Sequence, residues 1–393
     1  MLFCMFELGR WRRAALLSIL AISIQAGGCD EATSDTDAAT PTDSGVSDAS
    51  RSDASGIDAS VDAAMPVDSG SPRDAAIPVT GGIWINAAEI AALPTSGESW
   101  ADLESAAMGL WGTADVSDQD NSHDVLTFAG ALYAARTGDA ATRTRVEVAL
   151  EAAIGTESGG RTLALGRQLL GYVLAADLIG YRSSTFVAWV SAVRTTDLDG
   201  RAGIRTLLDS ATTDPSNWGC HARASIIAAA RYLGDEAQLV VLADRLRDYV
   251  GRSGAGFTFR EDWWQASPSN PVGINPVGAM LSGMNVDGVI PDDQRRGGMF
   301  AWPPPRENYV WESLQGTVAS AHMLERAGYD SWEWESRAIL RAVQWLHDEP
   351  NYPAEGDDSW MPWRVNAAYG TSFPVSTGRP TGKSVGFTSW THG

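Results

Sequence analysis

The sequence contains few cysteines and few histidines, and this scarcity excludes several classes of protein. Cys4, Cys29 and Cys220 are its only cysteines. Because the first two lie close to the N-terminus, Cys220 has no partner within the rest of the chain and a disulfide framework is excluded. The chain has no CxxC, no HExxH and no closely spaced pair of histidines, which are common zinc-binding arrangements. We therefore expect neither a metal nor another cofactor.

Positive charge is also in short supply. The formal net charge is −20 at pH 7, and the chain that follows the N-terminal segments stays acidic. Proteins that bind nucleic acid usually carry a basic patch, so we expect no nucleic-acid partner. An acidic chain also disfavours a polyanionic ligand, unless its basic residues gather in one cleft.

Residues 1–28 have the pattern of a secretory signal peptide. Three arginines precede an apolar stretch at 14–24 that is too short to cross a bilayer as a mature helix. The sequence AGGC that ends at Cys29 resembles the lipobox of bacterial lipoproteins, with Ala26 where Leu is usual. We predict a secreted protein that is lipidated at Cys29 and anchored to a bacterial membrane, in the periplasm or at the cell surface. Plain secretion with a free Cys29 is the alternative.

Residues 29–79 have the composition of a disordered tether. They consist almost entirely of Asp, Ala, Ser, Thr and Pro, as in DEATSDTDAATPTDSG. Such a segment cannot bury enough apolar surface to offset its ordering entropy, and its like charges repel one another. Residues 80–393 are rich in Trp, Leu, Val and Ile, and we predict that they form one sizeable domain.

Within this domain, segments with a helical spacing of apolar residues are joined by similar short turns. The turns lie at Gly138-Asp139, Gly180-Tyr181, Gly234-Asp235 and Gly328 to Asp330. Glycine after a helix readily adopts the left-handed cap conformation, and Asp or Ser just beyond it suits the start of the next helix. Each of these segments is therefore predicted to be a hairpin of two helices.

The spacing of the turns predicts a repeated architecture. They recur at roughly 40 to 55 residues, with one interval about twice as long, which is typical of repeated helix pairs with an insertion. The insertion, at about 253–308, has no helical period, and long irregular loops in compact domains are usually functional. We predict an all-α fold, an incomplete (α/α) toroid of helical hairpins with long irregular loops over a central cleft. A plain helical solenoid is the alternative.

The segment SNWGCHARA, at 216–224, carries the first candidate functional residues. Asn217 lies four residues before His221, directly ahead of an Ala-rich helical run. In one interpretation Asn217 caps the helix and His221 lies in its first turn. In the other, an amide donor and an imidazole project from one helix start into the cleft, where they meet a carboxylate and an acidic C–H group.

A second group of candidates lies between residues 292 and 316. Arg295, Arg296 and Arg306 lie in or beside the insertion, and Tyr309 stands where the next helix begins. Arginine makes bidentate contacts with carboxylates, and a tyrosine held among cations is driven towards the phenolate. A proline-rich loop with solvated arginines and a packed aromatic residue is the alternative.

Two further residues stand out by their surroundings. His123 lies at a helix start beside several acids, where it is a cap, an ion-pair partner or a residue that lines the cleft. Arg167 is a charge inside an otherwise apolar helix, so that it either reaches a substrate carboxylate or forms a salt bridge.

Six segments of the domain resemble the alginate lyases and their relatives among the (α/α)-toroid polysaccharide lyases. They are IWINAAEIAALP, SHDVLTFAGALYAARTGD, TLALGRQLLGYVLAADLI, SNWGCHARASIIAAARYLGD, RENYVWESLQGTVASAHMLERAGYD and GKSVGFTSWTH. In that family an Asn and a His come from one helix start, and a Tyr with an Arg shortly before it comes from a later one. By this resemblance the Asn, His and Tyr correspond to Asn217, His221 and Tyr309.

The chain departs from the family pattern at two places. The Asn and His are adjacent in the better-known alginate lyases, whereas they are four residues apart here. The Arg usually lies six or seven residues before the Tyr, a place that Trp302 or Pro303 holds in this chain. Arg306 is closer to the Tyr and Arg296 is further from it, and we take Arg306 as the first choice.

The resemblance implies cleavage of an acidic, uronic-acid-containing polysaccharide by β-elimination. Asn217 and an arginine would stabilise the charge that develops on the uronate carboxylate. His221 or Tyr309 would remove the C5 proton, and Tyr309 would protonate the departing O4. Sugar rings would stack on tryptophans, although Trp is also common in cores. The implied substrate-binding residues are Arg296, Arg295, Arg167, His123, Trp218, Trp311 and Trp264, with Trp263 and Trp302 as further stacking candidates. We expect a monomer.

Two other functions are compatible with the same sequence. A glycoside hydrolase on the same toroid would need two carboxylates across the cleft; the candidates are Glu261, Asp262, Glu312, Asp357 and Asp358. A non-catalytic, glycan-binding surface lipoprotein is the other. The sequence GRPTGKS at 378–384 is one residue short of a phosphate-binding loop and is not followed by a suitable helix, so we do not expect nucleotide binding.

Overall fold

The computed structural model describes residues 81–376 and 383–393. The predicted signal peptide, the tether and the lipidation site at Cys29 lie outside these residues. The described residues are mostly helical with almost no strand, which confirms the all-α class. None of the helices in these two ranges is long and apolar enough to cross a membrane.

Fourteen α-helices and one small β-hairpin make up the regular structure of the described ranges. The helices are α1 (Ala87–Ala92), α2 (Glu98–Met108), α3 (His123–Thr137), α4 (Ala140–Ala153), α5 (Thr162–Leu178), α6 (Ser184–Val193), α7 (Leu207–Thr213), α8 (Asn217–Leu233), α9 (Glu236–Arg247), α10 (Pro291–Gln294), α11 (Asn308–Arg326), α12 (Trp334–Asp348), α13 (Met361–Tyr369) and α14 (Thr388–Thr391). The strands β1 (Met280–Leu281) and β2 (Met284–Asn285) pair antiparallel.

Two of the four predicted hairpins, those at Gly138 and Gly234, are confirmed at their turns. Gly138 follows α3 with φ of 75°, and the Asp139 side chain accepts a hydrogen bond from the Thr142 amide at the start of α4. Gly234 and Asp235 make the same turn between α8 and α9, where Gly234 has φ of 71°. A residue with a Cβ would be strained at such φ values, which is why these turns are legible in the sequence.

The first helices of the hairpins pack side by side, in the order α3, α5, α8 and α11. Two glycines allow this close approach. A Cβ on Gly316 of α11 would lie 2.2 Å from the carbonyl carbon of Cys220, and one on Gly166 of α5 would lie 3.1 Å from the amide nitrogen of Ala222. Both contacts fall in the first half of α8. Near the other end, Arg231 of α8 donates to the carbonyl of Met323 in α11, so these two helices run parallel and start at the same end.

Two irregular segments reach that end of the helices. The predicted insertion is confirmed as irregular: between α9 and α11 it contains only the small hairpin, short helical turns and α10. The C-terminal segment from Lys383 onward returns to the core, where Val385 and Phe387 are buried and Trp390 donates from Nε1 to the carbonyl of Pro94. Loops that converge on one end of a helix row are well placed to complete a binding site.

Candidate functional site

The site begins at the first turn of α8. Ser216 is the N-cap, so Asn217 is the first residue of the helix and does not cap it. His221 follows one turn later, which places both side chains on the same face. Both residues are fully buried, and the Nδ2 donor of Asn217 has no hydrogen-bond partner. An unpaired buried amide is costly because its desolvation has no compensating partner. Since Asn217 is 0% exposed, Nδ2 can donate to a ligand only after the side chains that cover it move.

Arg296, from the insertion, connects α8 with α11. Its Nη1 atom lies 3.5 Å from Oδ1 of Asn217, and its guanidinium carbon lies 3.0 Å from the centroid of the Tyr309 ring. Tyr309 is half-buried in the first turn of α11, and the Arg296 side chain keeps 24% of its surface exposed. The structure therefore brings an amide, a guanidinium and a phenol together at one partly open position.

A buried acid lies behind the Arg296 guanidinium. Oδ1 of Asp293 is 4.0 Å from Nη1 of Arg296 and accepts no hydrogen bond, while its other oxygen accepts one from the Ser313 hydroxyl. Burial, and then the neighbouring carboxylate of Asp292, raise the pKa of Asp293 to about 7. Asp293 thus supplies Arg296 with a counter-charge that depends on pH near neutrality.

His221 lies between two side chains that use both of its ring nitrogens. Nε2 is 3.3 Å from Oε2 of Glu312, and Nδ1 is 3.0 Å from the hydroxyl of Ser384. Burial is the main cause that lowers the pKa of His221, and the charges of Arg167 and Lys383 lower it further against the opposing effect of Glu312. The ring is therefore neutral at pH 7 in this arrangement.

Glu312 is the centre of a buried ionic network. Oε2 accepts a hydrogen bond from Nη2 of Arg167, and Oε1 accepts one from Nζ of Lys383 at 3.0 Å. Burial opposes ionisation of this carboxyl, but Arg167, His221 and Lys383 together outweigh it and hold its pKa well below the usual range. Glu312 lies three residues after Tyr309, on the same side of α11.

Lys383 and Ser384 were missed as site residues by the sequence analysis, although GKSVGFTSWTH belongs to the resemblance. Lys383 is the only lysine in the sequence, and it also lies 3.3 Å from Oδ2 of Asp357. The one feature of the sequence that could have drawn attention to Lys383 is that it is a single lysine among many arginines. The pairing itself could not be read from the sequence, because Ser384 contacts a residue 163 positions earlier.

The first choice for the carboxylate-binding arginine is not supported by the structure. Arg306 is exposed and donates to the carbonyl oxygens of Pro350 and Asn351. Arg296 takes the place beside Asn217 and Tyr309.

Arg295 and Arg167 are held by acids. Arg295 pairs with Glu261 at 2.8 Å and with Asp292 at 3.4 Å. For Arg167 the salt-bridge alternative is correct: its side chain is 3% exposed and bonded to Glu312. The prediction that Arg167 contacts a substrate directly is therefore wrong in this conformation, because no surface of it is open to a ligand.

Two of the tryptophans that were expected to contact substrate belong to the core. Trp264 is 0% exposed and donates from Nε1 to the carbonyl of Gly298, and Trp311 is 1% exposed. The stacking prediction is wrong for both, because neither ring has a free face. Trp218 and Trp302 are half-buried and Trp263 is 38% exposed, so these three can still meet a ligand.

His123 occupies a separate place at the start of α3. Its Nδ1 atom is 2.8 Å from the hydroxyl of Tyr172, and the side chain lines a cavity of about 590 Å³ with Trp111 and Arg145. The residues that line this cavity do not include Asn217, His221 or Tyr309. The structure thus does not bring His123 together with the other candidates.

The acids considered for hydrolysis differ in exposure. Glu261 and Asp262 are exposed and Asp357 is 29% exposed, whereas Glu312 and Asp358 are each about 3% exposed. Burial, with the charges of Asp357 and Glu312, raises the pKa of Asp358 well above its ordinary value. Across residues 81–376 and 383–393, no group of three or more His, Cys, Asp or Glu side chains could hold a metal ion.

The first turns of α8 and α11 bring together groups that suit binding of a carboxylate and transfer of a proton. An unpaired amide donor and a guanidinium are suited to bind a carboxylate, and a half-buried phenol beside them is suited to transfer a proton. Comparisons of the chain with protein-family models, with curated proteins and with solved structures found no match.

Proposed function

We propose that this chain is a polysaccharide lyase of the alginate-lyase type, which cleaves a uronic-acid polymer by β-elimination. The observation that carries the proposal is the position of Arg296 between the Asn217 amide and the Tyr309 ring. The proposal includes an incomplete (α/α) toroid as the fold, secretion, and an N-terminal lipid anchor at Cys29.

The reaction needs a stabilised carboxylate before it needs a base. The proton on C5 of a uronate is removed only if the negative charge that develops on the adjacent carboxylate is stabilised. Nδ2 of Asn217 and the Arg296 guanidinium would donate hydrogen bonds to that carboxylate in a site with little water, where such bonds contribute most.

Of the two candidate bases, Tyr309 is favoured over His221. Both nitrogens of His221 already have partners and the ring is fully buried, whereas Tyr309 is half-buried at the open side. The Arg296 charge against its ring stabilises the negative phenol oxygen that accepts the proton. Tyr309 would take the proton from C5 and return it to O4 as the C4–O4 bond breaks and the C4–C5 double bond forms. No water is consumed.

The test is an elimination assay with the chain that lacks its first 28 residues. The substrates are alginate, polymannuronate, polyguluronate, glucuronan, hyaluronan and chondroitin, and the signal is the ultraviolet absorbance of the unsaturated uronate. We expect one or more polymers to give the signal, and we expect Asn217→Ala, Arg296→Ala and Tyr309→Phe to abolish it. Arg306→Ala is the matched control and should keep full activity. Reducing ends without the absorbance would refute elimination.

Glycoside hydrolysis is the second candidate, and Asp358 is the observation in its favour. A carboxyl with a raised pKa near one with a lowered pKa is the combination that a hydrolase uses as acid and carboxylate. Against it, both groups are buried and Glu312 is already paired with two cations. In this case Asp358→Asn would abolish the release of reducing ends and Tyr309→Phe would not. Saturable polysaccharide binding without turnover would instead indicate a glycan-binding protein.

A further inference from the structure

The C-terminal segment contributes a hydroxyl to the site that the proposed reaction does not use directly. Ser384 is 1% exposed and its Oγ atom lies 3.0 Å from Nδ1 of His221. Ser384 and His221 are 163 residues apart in the chain, so only tertiary structure brings them together. A buried contact of this kind between a hydroxyl and an imidazole requires an assignment of donor and acceptor.

The network around the ring settles that assignment. Glu312 is bonded to two cations, Arg167 and Lys383, and as a carboxylate it can only accept hydrogen bonds. The 3.3 Å contact with His221 therefore requires a hydrogen on Nε2. In a neutral imidazole the other nitrogen is then an acceptor, so Ser384 must be the donor to Nδ1.

We propose that Ser384 is a positioning residue of the active site, which holds His221 in the tautomer that donates from Nε2 to Glu312. This inference rests on the proposed lyase function. With the opposite tautomer, a ring nitrogen lone pair would face the Glu312 carboxylate and the ring would be repelled. Because Glu312 and Tyr309 share one face of α11, and Asn217 and His221 share one face of α8, a displaced ring would disturb the spacing of the phenol and the amide.

The same three residues do not form a nucleophilic serine site. A serine that attacks an acyl group must be reachable by that group, and Ser384 is 1% exposed. In addition, its partner His221 is fully buried. The contact is therefore suited to orientation of the ring and not to covalent catalysis.

NMR of the wild-type chain, labelled with nitrogen-15 at histidine, measures the tautomer of His221 at pH 7. The His221→Asn variant identifies the His221 signal among those of the five histidines. We expect a protonated Nε2 and an unprotonated Nδ1 in His221. A protonated Nδ1, or a doubly protonated ring, would overturn the inference. This measurement needs no substrate.

The Ser384→Ala variant tests the role of the hydroxyl. We expect a mixture of His221 tautomers and a fall in kcat of about 10²-fold, the size of effect that slight misplacement of reacting groups produces, with little change in KM. Ser331→Ala is the matched control, since Ser331 is also buried and donates only to the carbonyl of Ala321 at 2.6 Å. It should change neither the tautomer nor kcat.

Ser384→Cys serves if the alanine variant does not fold, because a thiol has a similar size but is a weaker donor. We expect its His221 tautomers to be mixed and its kcat to be lower than that of the wild type. Wild-type values for both would overturn the inference. Absence of turnover by the wild-type chain on every polymer would remove the proposed function and this inference with it. Turnover at an unchanged rate in Ser384→Ala would remove the inference alone.

Discussion

The guanidinium carbon of Arg296 lies 3.0 Å from the centroid of the Tyr309 ring. A cation in this position interacts with the ring face and with any negative charge on the phenol oxygen. The same side chain reaches the Asn217 amide at 3.5 Å. Arg296 therefore joins the two helices from which the proposed chemistry comes.

Replacement of Arg296 by lysine should reduce activity although the charge is kept. Lysine lacks the planar fork that contacts both Asn217 and a carboxylate. We expect kcat/KM for the best polymer to fall about 10²-fold, as it does when one donor to a developing anion is removed. Initial elimination rates measure this effect, and Arg306→Lys is the control, which should match the wild type. Equal losses in the two variants would contradict the assignment of Arg296.

Replacement of Glu312 by glutamine should destabilise the fold. The change leaves Arg167, which is 3% exposed, without its counter-charge. Removal of one partner of a buried ion pair typically costs about 3–5 kcal/mol. Glu261→Gln removes a pair whose acid is 43% exposed, and such a pair is worth at most about 1 kcal/mol. Denaturant unfolding of both variants gives the comparison, and a cost for Glu312→Gln as small as that for Glu261→Gln would refute a structural role of the network.

The stability of the protein should depend on pH through Asp293. Its pKa is raised from the ordinary 3.8 to about 7 in the folded protein, because burial favours the neutral form. Its contribution to stability is therefore complete below the unfolded pKa and is lost as pH rises through about 7. Asn cannot ionise, so the Tm of Asp293→Asn relative to the wild type should increase between about pH 5 and about pH 8. A constant difference would show that Asp293 does not titrate in this range.

Alanine at Gly316 should be far more costly than alanine at Gly166. The new Cβ would lie 2.2 Å from the backbone of Cys220 in the first case and 3.1 Å from the backbone of Ala222 in the second. Neither neighbour is a flexible side chain, so the first substitution has to separate α11 from α8. Overpacking usually costs about 1–3 kcal/mol, and we expect Gly316→Ala at or above this range and Gly166→Ala near its lower end. Thermal unfolding of the two variants checks the order.

The single lysine allows its environment to be measured directly. Reductive methylation with labelled formaldehyde places an NMR probe on Lys383, and the α-amino group is distinguished by its titration near pH 8. Burial lowers the pKa of Lys383, but Glu312 and then Asp357 raise it above the usual value. We therefore expect Glu312→Gln to lower the pKa of the labelled amine, and Asp357→Asn to lower it less. An unchanged titration in Glu312→Gln would show that the contact is absent.

Local signals predicted the all-α class and the turns between helices, and they singled out several residues that meet in the candidate site. The turns at Gly138 and Gly234 were legible because a left-handed glycine and a capping acid are sequence-local features. The shared face of Asn217 and His221 follows from helix geometry alone. The choice between Arg296 and Arg306 depended on how an irregular insertion folds, which spacing along the chain does not determine.

The remaining differences are tertiary in origin. The sequence predicts that a charge such as Arg167 inside an apolar helix needs a partner, but it does not identify Glu312, 145 residues away. A tryptophan such as Trp311 looks the same in the sequence whether its ring faces a ligand or packs in the core. For the same reason, nothing local pointed to the contact between Ser384 and His221.

The long sequence separations in the candidate site also bear on the order in which the fold forms. The contacts Arg167–Glu312 and His221–Ser384 close loops of 145 and 163 residues, whereas the helical hairpins form from neighbours in the chain. Contacts of high sequence separation form slowly and late, because loop-closure entropy is lost before they stabilise the chain. The hairpins can therefore form early, but the ring of His221 gains its partner on Nδ1 only when the C-terminal segment docks. The proposed active site would then be among the last parts of the fold to form.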